Sequence, residues 1–218
     1  MDNQDITLRE QFWGKVGTLS SDVLASLINP AFAANLPQWP SLQNAYRLLV
    51  KANGNTVIAT DGLSEPFDTA RFPGNPTNVN GFEMEIYVET DEKIPVIQDS
   101  YIFDILYQMS LQVAASGQVK SMLEKYGVIT VELYDVRVPK EFQTPEGTVG
   151  IIVGLPSEDI APKVALSLSE VLIVNAKLLT LQELTYVKLN GEEGRKKLVE
   201  LFNTTSKTGT NLTRESVV

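Results

Sequence analysis

TVIATDGLSEPFDTARFPGNPTNVNGFEMEIYVETDE, residues 56–92, decides the fold. It holds two strand-like runs, 57–60 and 82–90, joined by a long loop of Asp, Gly, Pro and Asn. The second run alternates: Phe82, Met84, Ile86 and Val88 fall on one side, and Glu83, Glu85, Tyr87 and Glu89 on the other. A period of two predicts a strand with one buried face and one wet face. An acidic wet face beside an irregular loop on a rigid sheet is where function usually sits. The pattern argues for a binding protein more than for an enzyme.

Upstream, 46–52 and 56–60 read as a β-hairpin, because Asn53-Gly54-Asn55 tolerates the positive φ of a tight turn. Leu8, Phe12 and Val16 have helical spacing, and Ser20 or Ser21 is the expected N-cap of a short helix ending at Asn29-Pro30. Trp39 lies in a proline-bracketed loop, LPQWP, as a lid on the core or as a ligand platform. Downstream, Asp99-Ser100 caps a helix running to Ser116, closed by Gly117, and a second helix covers 119–126. Strands are expected at 128–138, 148–155 and 170–179, with 157–167 as a loop. Thr180 and Glu183 form a capping box at the start of a helix that Gly191 interrupts. The sum is a mixed α/β (α+β) single domain over 1–202, its central sheet flanked by helices, followed by a polar, flexible tail over 203–218.

Composition narrows the function. The 218 residues contain neither Cys nor His, which removes disulfides, thiolate metal sites, cysteine nucleophiles and the commonest general base. Net charge is −9. An acidic surface repels phosphate and anionic lipid and attracts basic proteins, so the expected partner is another protein, not nucleic acid or membrane. No apolar run is long enough to cross a bilayer, and the N-terminus lacks the features of a signal peptide, so cytoplasmic residence is expected. No cofactor or metal is expected.

Four pieces carry a family likeness: WPSLQNAYRLL at 39–49, VIATDGLSEPFD at 57–68, NGFEMEIYVETDE at 80–92 and VLIVNAKLLTLQELTYVKLNG at 171–191. In this order they resemble the suppressor-of-fused domain family, over most of the chain from 39 to 202. The resemblance implies an α/β domain with a mixed sheet, no catalytic activity, and binding of another protein. Animal members hold a peptide of a transcription factor as an added strand; many bacterial stand-alone members look like immunity proteins that neutralise toxins. One domain's length departs from the animal form and suits the bacterial one.

The candidate partner-binding residues are Trp39, Asp61, Ser64, Asp68, Glu83, Glu85, Tyr87 and Glu89, docking a basic toxin domain or an extended peptide. The competing structural reading makes these carboxylates an ordinary solvated strand face and makes Asp61-Gly62-Leu63-Ser64 a simple turn. Two alternatives remain open. One is a carboxylate- or metal-dependent hydrolase using Asp61, Asp68, Glu83 and Glu85. The other is a scaffold module recruiting peptides through a sheet edge or the Trp39 loop.

Overall fold

A computed structural model describes residues 3–25, 40, 45–67, 74–205 and 209–218. The chain runs α1 (Asn3–Val16), β1 (Thr18–Ala25), β2 (Ala45–Val50), β3 (Thr56–Asp61), β4 (Met84–Thr90), α2 (Tyr101–Ser116), α3 (Val119–Tyr126), β5 (Ile129–Leu133), β6 (Val149–Val153), β7 (Lys163–Ala165), β8 (Glu170–Leu178) and α4 (Leu181–Thr204). The strands form one mixed sheet in the order β1-β2-β3-β4-β8-β6-β5. Neighbours are antiparallel except β4 and β8, which run parallel. One edge of β8 is shared: β7 pairs with its first residues and β6 with its last.

Helices cover both faces, because both parities of the central strands are apolar or paired. Met84, Ile86 and Val88 of β4 join Ile102, Ile105, Leu106 and Met109 of α2 in the largest core, to which α3 adds Val119 and Leu123. On the opposite face Trp13 of α1 packs with Tyr87, Val57, Ala59 and Ile173. Leu184, Val187, Leu198 and Phe202 of α4 cover Ile152 and Leu155. The result is three layers, α2 and α3 over the sheet over α1 and α4.

The helix ends follow the residues expected of them. Ser100 Oγ accepts the Phe103 N–H, and Gly117 closes α2 in the left-handed region with φ 61°. The capping box at Thr180 and Glu183 is formed in both directions, and Gly191 (φ 56°, ψ −128°) kinks α4. The hairpin of β2 and β3 pairs in register from Ala45↔Asp61 to Val50↔Thr56.

Three expectations need correction. Residues 18–25 form strand β1 rather than the start of a capped helix, because pairing with β2 outweighs the local Ser cap; Ser20 and Ser21 fall where the register slips. Gly17 permits the turn from α1 into β1, since a Cβ there would lie 2.5 Å from the Val50 carbonyl oxygen. Lys163–Ala165 is a strand inside the expected loop, too short to show a period. Residues 209–218 are docked along the domain rather than free: Thr210 is 1% exposed, and its N–H donates to the Glu89 carbonyl at 2.7 Å.

Among the described residues, no helix is long and apolar enough to cross a membrane.

Candidate functional site

The acidic strand face is not wet. Every residue of β4 is buried, with Glu85 at 0%, Tyr87 at 2% and Glu89 at 7% exposure. The alternation holds from Met84 to Thr90 and fails at Glu83, whose φ of 53° turns it out of the strand, and α1 and neighbouring strands cover the polar side. A charge under a helix has to be paired there, and each of these is.

Glu85 is the centre of that pairing. Beyond Ala59↔Tyr87 the β3–β4 ladder ends, and side chains replace backbone partners. Glu85 Oε2 accepts from Thr60 Oγ1 at 2.5 Å, while Thr60 Oγ1 accepts the Ile86 N–H at 2.9 Å. Glu85 Oε1 accepts from the Gly62 N–H at 3.1 Å, the Ser64 N–H at 2.9 Å and the Ser64 hydroxyl at 2.6 Å. The Asp61–Ser64 turn is therefore wound around one carboxylate.

Arg9 reaches into the same place from α1, with its side chain 2% exposed. Its Nε donates to Asp61 Oδ1 at 2.5 Å, its Nη1 to Ser64 Oγ at 3.5 Å, and its Nη2 to Glu65. Arg47 of β2 takes the other oxygen of Asp61 at 2.5 Å. Burial works to lower the Arg9 pKa, but the fields of Glu85, Asp61 and Glu65 outweigh it and hold the guanidinium above its ordinary value. Burial pushes Glu85 above the ordinary carboxylate range, opposed by Arg9 and by the hydroxyls of Ser64 and Thr60.

Glu89 belongs to a second cluster, accepting from Lys51 Nζ at 2.9 Å and Asn55 Nδ2 at 2.7 Å; Lys51 also meets Asp159 at 2.5 Å. Glu83 points the other way, to Lys120 of α3 at 2.8 Å. The structure thus brings together Asp61, Ser64 and Glu85 and separates Glu83 and Glu89 from them. Trp39 and Asp68 lie outside the described residues.

This geometry suits a structural clamp between α1 and the 61–65 turn. Asp61 has both oxygens on guanidinium groups and Glu85 holds four donors, which argues against their use as metal ligands or as an acid–base pair. Among the described residues, no group of three or more His, Cys, Asp or Glu is placed to hold a metal ion. The sequence reading missed the cations that complete the network, Arg9, Arg47 and Lys51. The signal for Arg47 and Lys51 was the spacing Arg47, Leu49, Lys51 along and just past β2, which pairs through β3 with the strand of Tyr87 and Glu89; Arg9 on α1 had no such signal.

The exposed feature with binding character lies elsewhere. An open groove of about 810 Å³ runs between the first turns of α4, the 3₁₀ turn Lys140–Phe142 and the C-terminal segment. Leu181, Tyr186, Leu189, Leu212 and Val218 line it, and Leu189 is 79% exposed. Its floor is rigid: Arg214 Nη1 donates to Glu183 Oε1 at 2.6 Å, Arg214 Nη2 pairs with Glu183 Oε2, and the Val217 N–H donates to Glu183 Oε1 at 3.1 Å. Lys177 Nζ and the Arg214 guanidinium lie 4.9 Å and 5.5 Å from the Phe202 ring centroid. Sequence reasoning assigned this segment to a flexible tail and so had no reason to find the groove. No protein-family model matches the chain, and no curated protein matches it.

Proposed function

We propose that the protein is a non-enzymatic protein-binding module that takes a basic partner on the groove beside α4, in the manner of an immunity protein covering a toxin. The observation that carries this reading is Leu189, exposed at 79% on the rim of an apolar groove whose floor a buried ion pair fixes. Leu189 stands beside Leu181, Tyr186, Leu212 and Val218 as a contiguous apolar surface that a bound partner would remove from water. The net charge of −9 favours a basic partner by accelerating encounter. The resemblance to the suppressor-of-fused family points the same way.

The test compares tagged wild type and Leu189→Glu on lysate of the native cells, at low and at high salt. The expected result is one stoichiometric basic protein held by the wild type, released by salt and not captured by the variant. A wild-type column without a partner, or equal capture by Leu189→Glu, overturns the reading.

A further inference from the structure

The shared edge of β8 opens a second cavity. The β7 ladder ends at Lys163↔Leu172 and the β6 ladder begins at Val153↔Ala176, so residues 173–175 of β8 face a fork between the two strands. Two backbone bonds frame the fork, from the Ile173 N–H to the Pro162 carbonyl at 2.8 Å and from the Gly154 N–H to the Asn175 carbonyl at 2.9 Å. A cavity of about 340 Å³ lies in it, within the size range of small-molecule sites. Leu123 and Leu172 wall it on one side, and Leu155, Ile160 and Ile173 on the other.

One polar group in this apolar wall is unsatisfied. Asn175 is 4% exposed and lines the cavity, yet its Oδ1 meets no donor among the described residues. A buried amide oxygen without a donor is costly and rare. Tyr87 and Ser157 line the same cavity. Ser157 Oγ in turn donates to Asp159 Oδ1 at 2.8 Å, and Asp159 pairs with Lys51. Ser157 and Asp159 are thus satisfied within the protein, and the carbonyl oxygen of Asn175 is left over as an acceptor.

We propose that the fork between β6 and β7 is a binding site for a compact, mostly apolar small molecule that donates one hydrogen bond, from N–H or O–H, to Asn175 Oδ1. The apolar walls take the body of the molecule, and the unmet Asn175 acceptor sets its orientation and selects against molecules without a donor.

Two matched probe pairs test this on the full chain: indole with 1-methylindole, and 1-hexanol with methyl hexyl ether. Each pair keeps the apolar body and replaces the donor hydrogen with a methyl group; the Asn175→Leu comparison separates the lost donor from the added bulk. Binding is followed by amide NMR at Tyr87, Gly154 and Asn175. The expected result is saturable shifts at these residues with at least one donor-bearing probe at millimolar concentration, and binding at least about tenfold weaker for its methylated counterpart, the loss expected when a buried acceptor is left unmet. In Asn175→Leu that discrimination disappears. Failure of both donor-bearing probes to saturate, or equal affinity within every pair that binds, overturns the proposal. So does preserved discrimination in Asn175→Leu. Where the variant folds poorly, the wild-type comparison still overturns the proposal by either of the first two outcomes.

Discussion

Arg9→Met tests whether the carboxylates around the 61–65 turn are clamped by one buried cation. Methionine keeps most of the apolar stem that packs in α1 and removes the charge. The side chain it replaces is 2% exposed and pairs with Asp61 at 2.5 Å and with Glu65. Removing one partner of a buried pair leaves uncompensated charge and costs about 3–5 kcal/mol. For a domain of this size, that corresponds to a fall in Tm of about 6–20 °C. The pH dependence separates charge from packing. Glu85 already binds its proton more tightly in the fold than its ordinary value of 4.5, because of burial. A raised carboxyl pKa stabilises the fold below the unfolded value, and that contribution is lost as pH rises through the folded one. Without Arg9 the folded pKa of Glu85 rises further, so the deficit of Arg9→Met against wild type is larger at about pH 8 than at about pH 5. Urea denaturation at both pH values measures it. A deficit under about 1 kcal/mol, the range of an exposed pair, refutes the clamp. An equal deficit at both pH values assigns the loss to packing.

Glu85→Lys is expected to abolish folding, since it sets a cation beside Arg9 with four donors aimed at it; the cost is about 5 kcal/mol or more, read as loss of cooperative melting by circular dichroism. Arg214→Met leaves Glu183 buried at 0% exposure without its cation; it is expected to cost about 3–5 kcal/mol and to release residues 209–218, seen as faster proteolytic trimming by mass spectrometry. Gly81→Ala places a Cβ 2.3 Å from the Leu63 carbonyl oxygen and 2.5 Å from that of Glu65, at φ +49°. It is expected to lower the urea midpoint by a loss above about 2 kcal/mol, because both obstacles are backbone.

What the sequence carries well is local. The Asn53-Gly54-Asn55 turn, the Ser100 cap, the Thr180–Glu183 capping box and the break at Gly191 each act within a few residues, so each is legible without the fold. The alternation also assigned Met84 to Thr90 to the correct faces, but not Glu83, which turns to Lys120 of α3. What covers a face is a different matter. Arg9 and Asp61 are 52 residues apart, and Arg214 and Glu183 are 31 apart, so no local pattern connects them. The same holds for β1, whose strand character comes from β2 across residues 26–44 rather than from its own serines.

The sheet register nevertheless shows where a better reading was available. Val57 pairs with both Leu49 and Glu89, and Ala59 with both Arg47 and Tyr87, so these rows lie on one face of three adjacent strands. A strand alternating Arg, Leu, Lys and a strand alternating Glu, Tyr, Glu, with small apolar residues between them, form complementary stripes. Stripes of opposite sign satisfy each other only when buried together, and water gives exposed pairs little reason to align. A sealed ionic layer is therefore the physical meaning of this acidic stripe: Lys51 at the end of the β2–β3 hairpin pairs with Glu89, and Arg9 of α1 closes over Glu85. It follows that binding assays on Glu85→Lys would report unfolding and would say nothing about a partner. Leu189→Glu changes a side chain already in water, so a loss of capture there is a loss of contact.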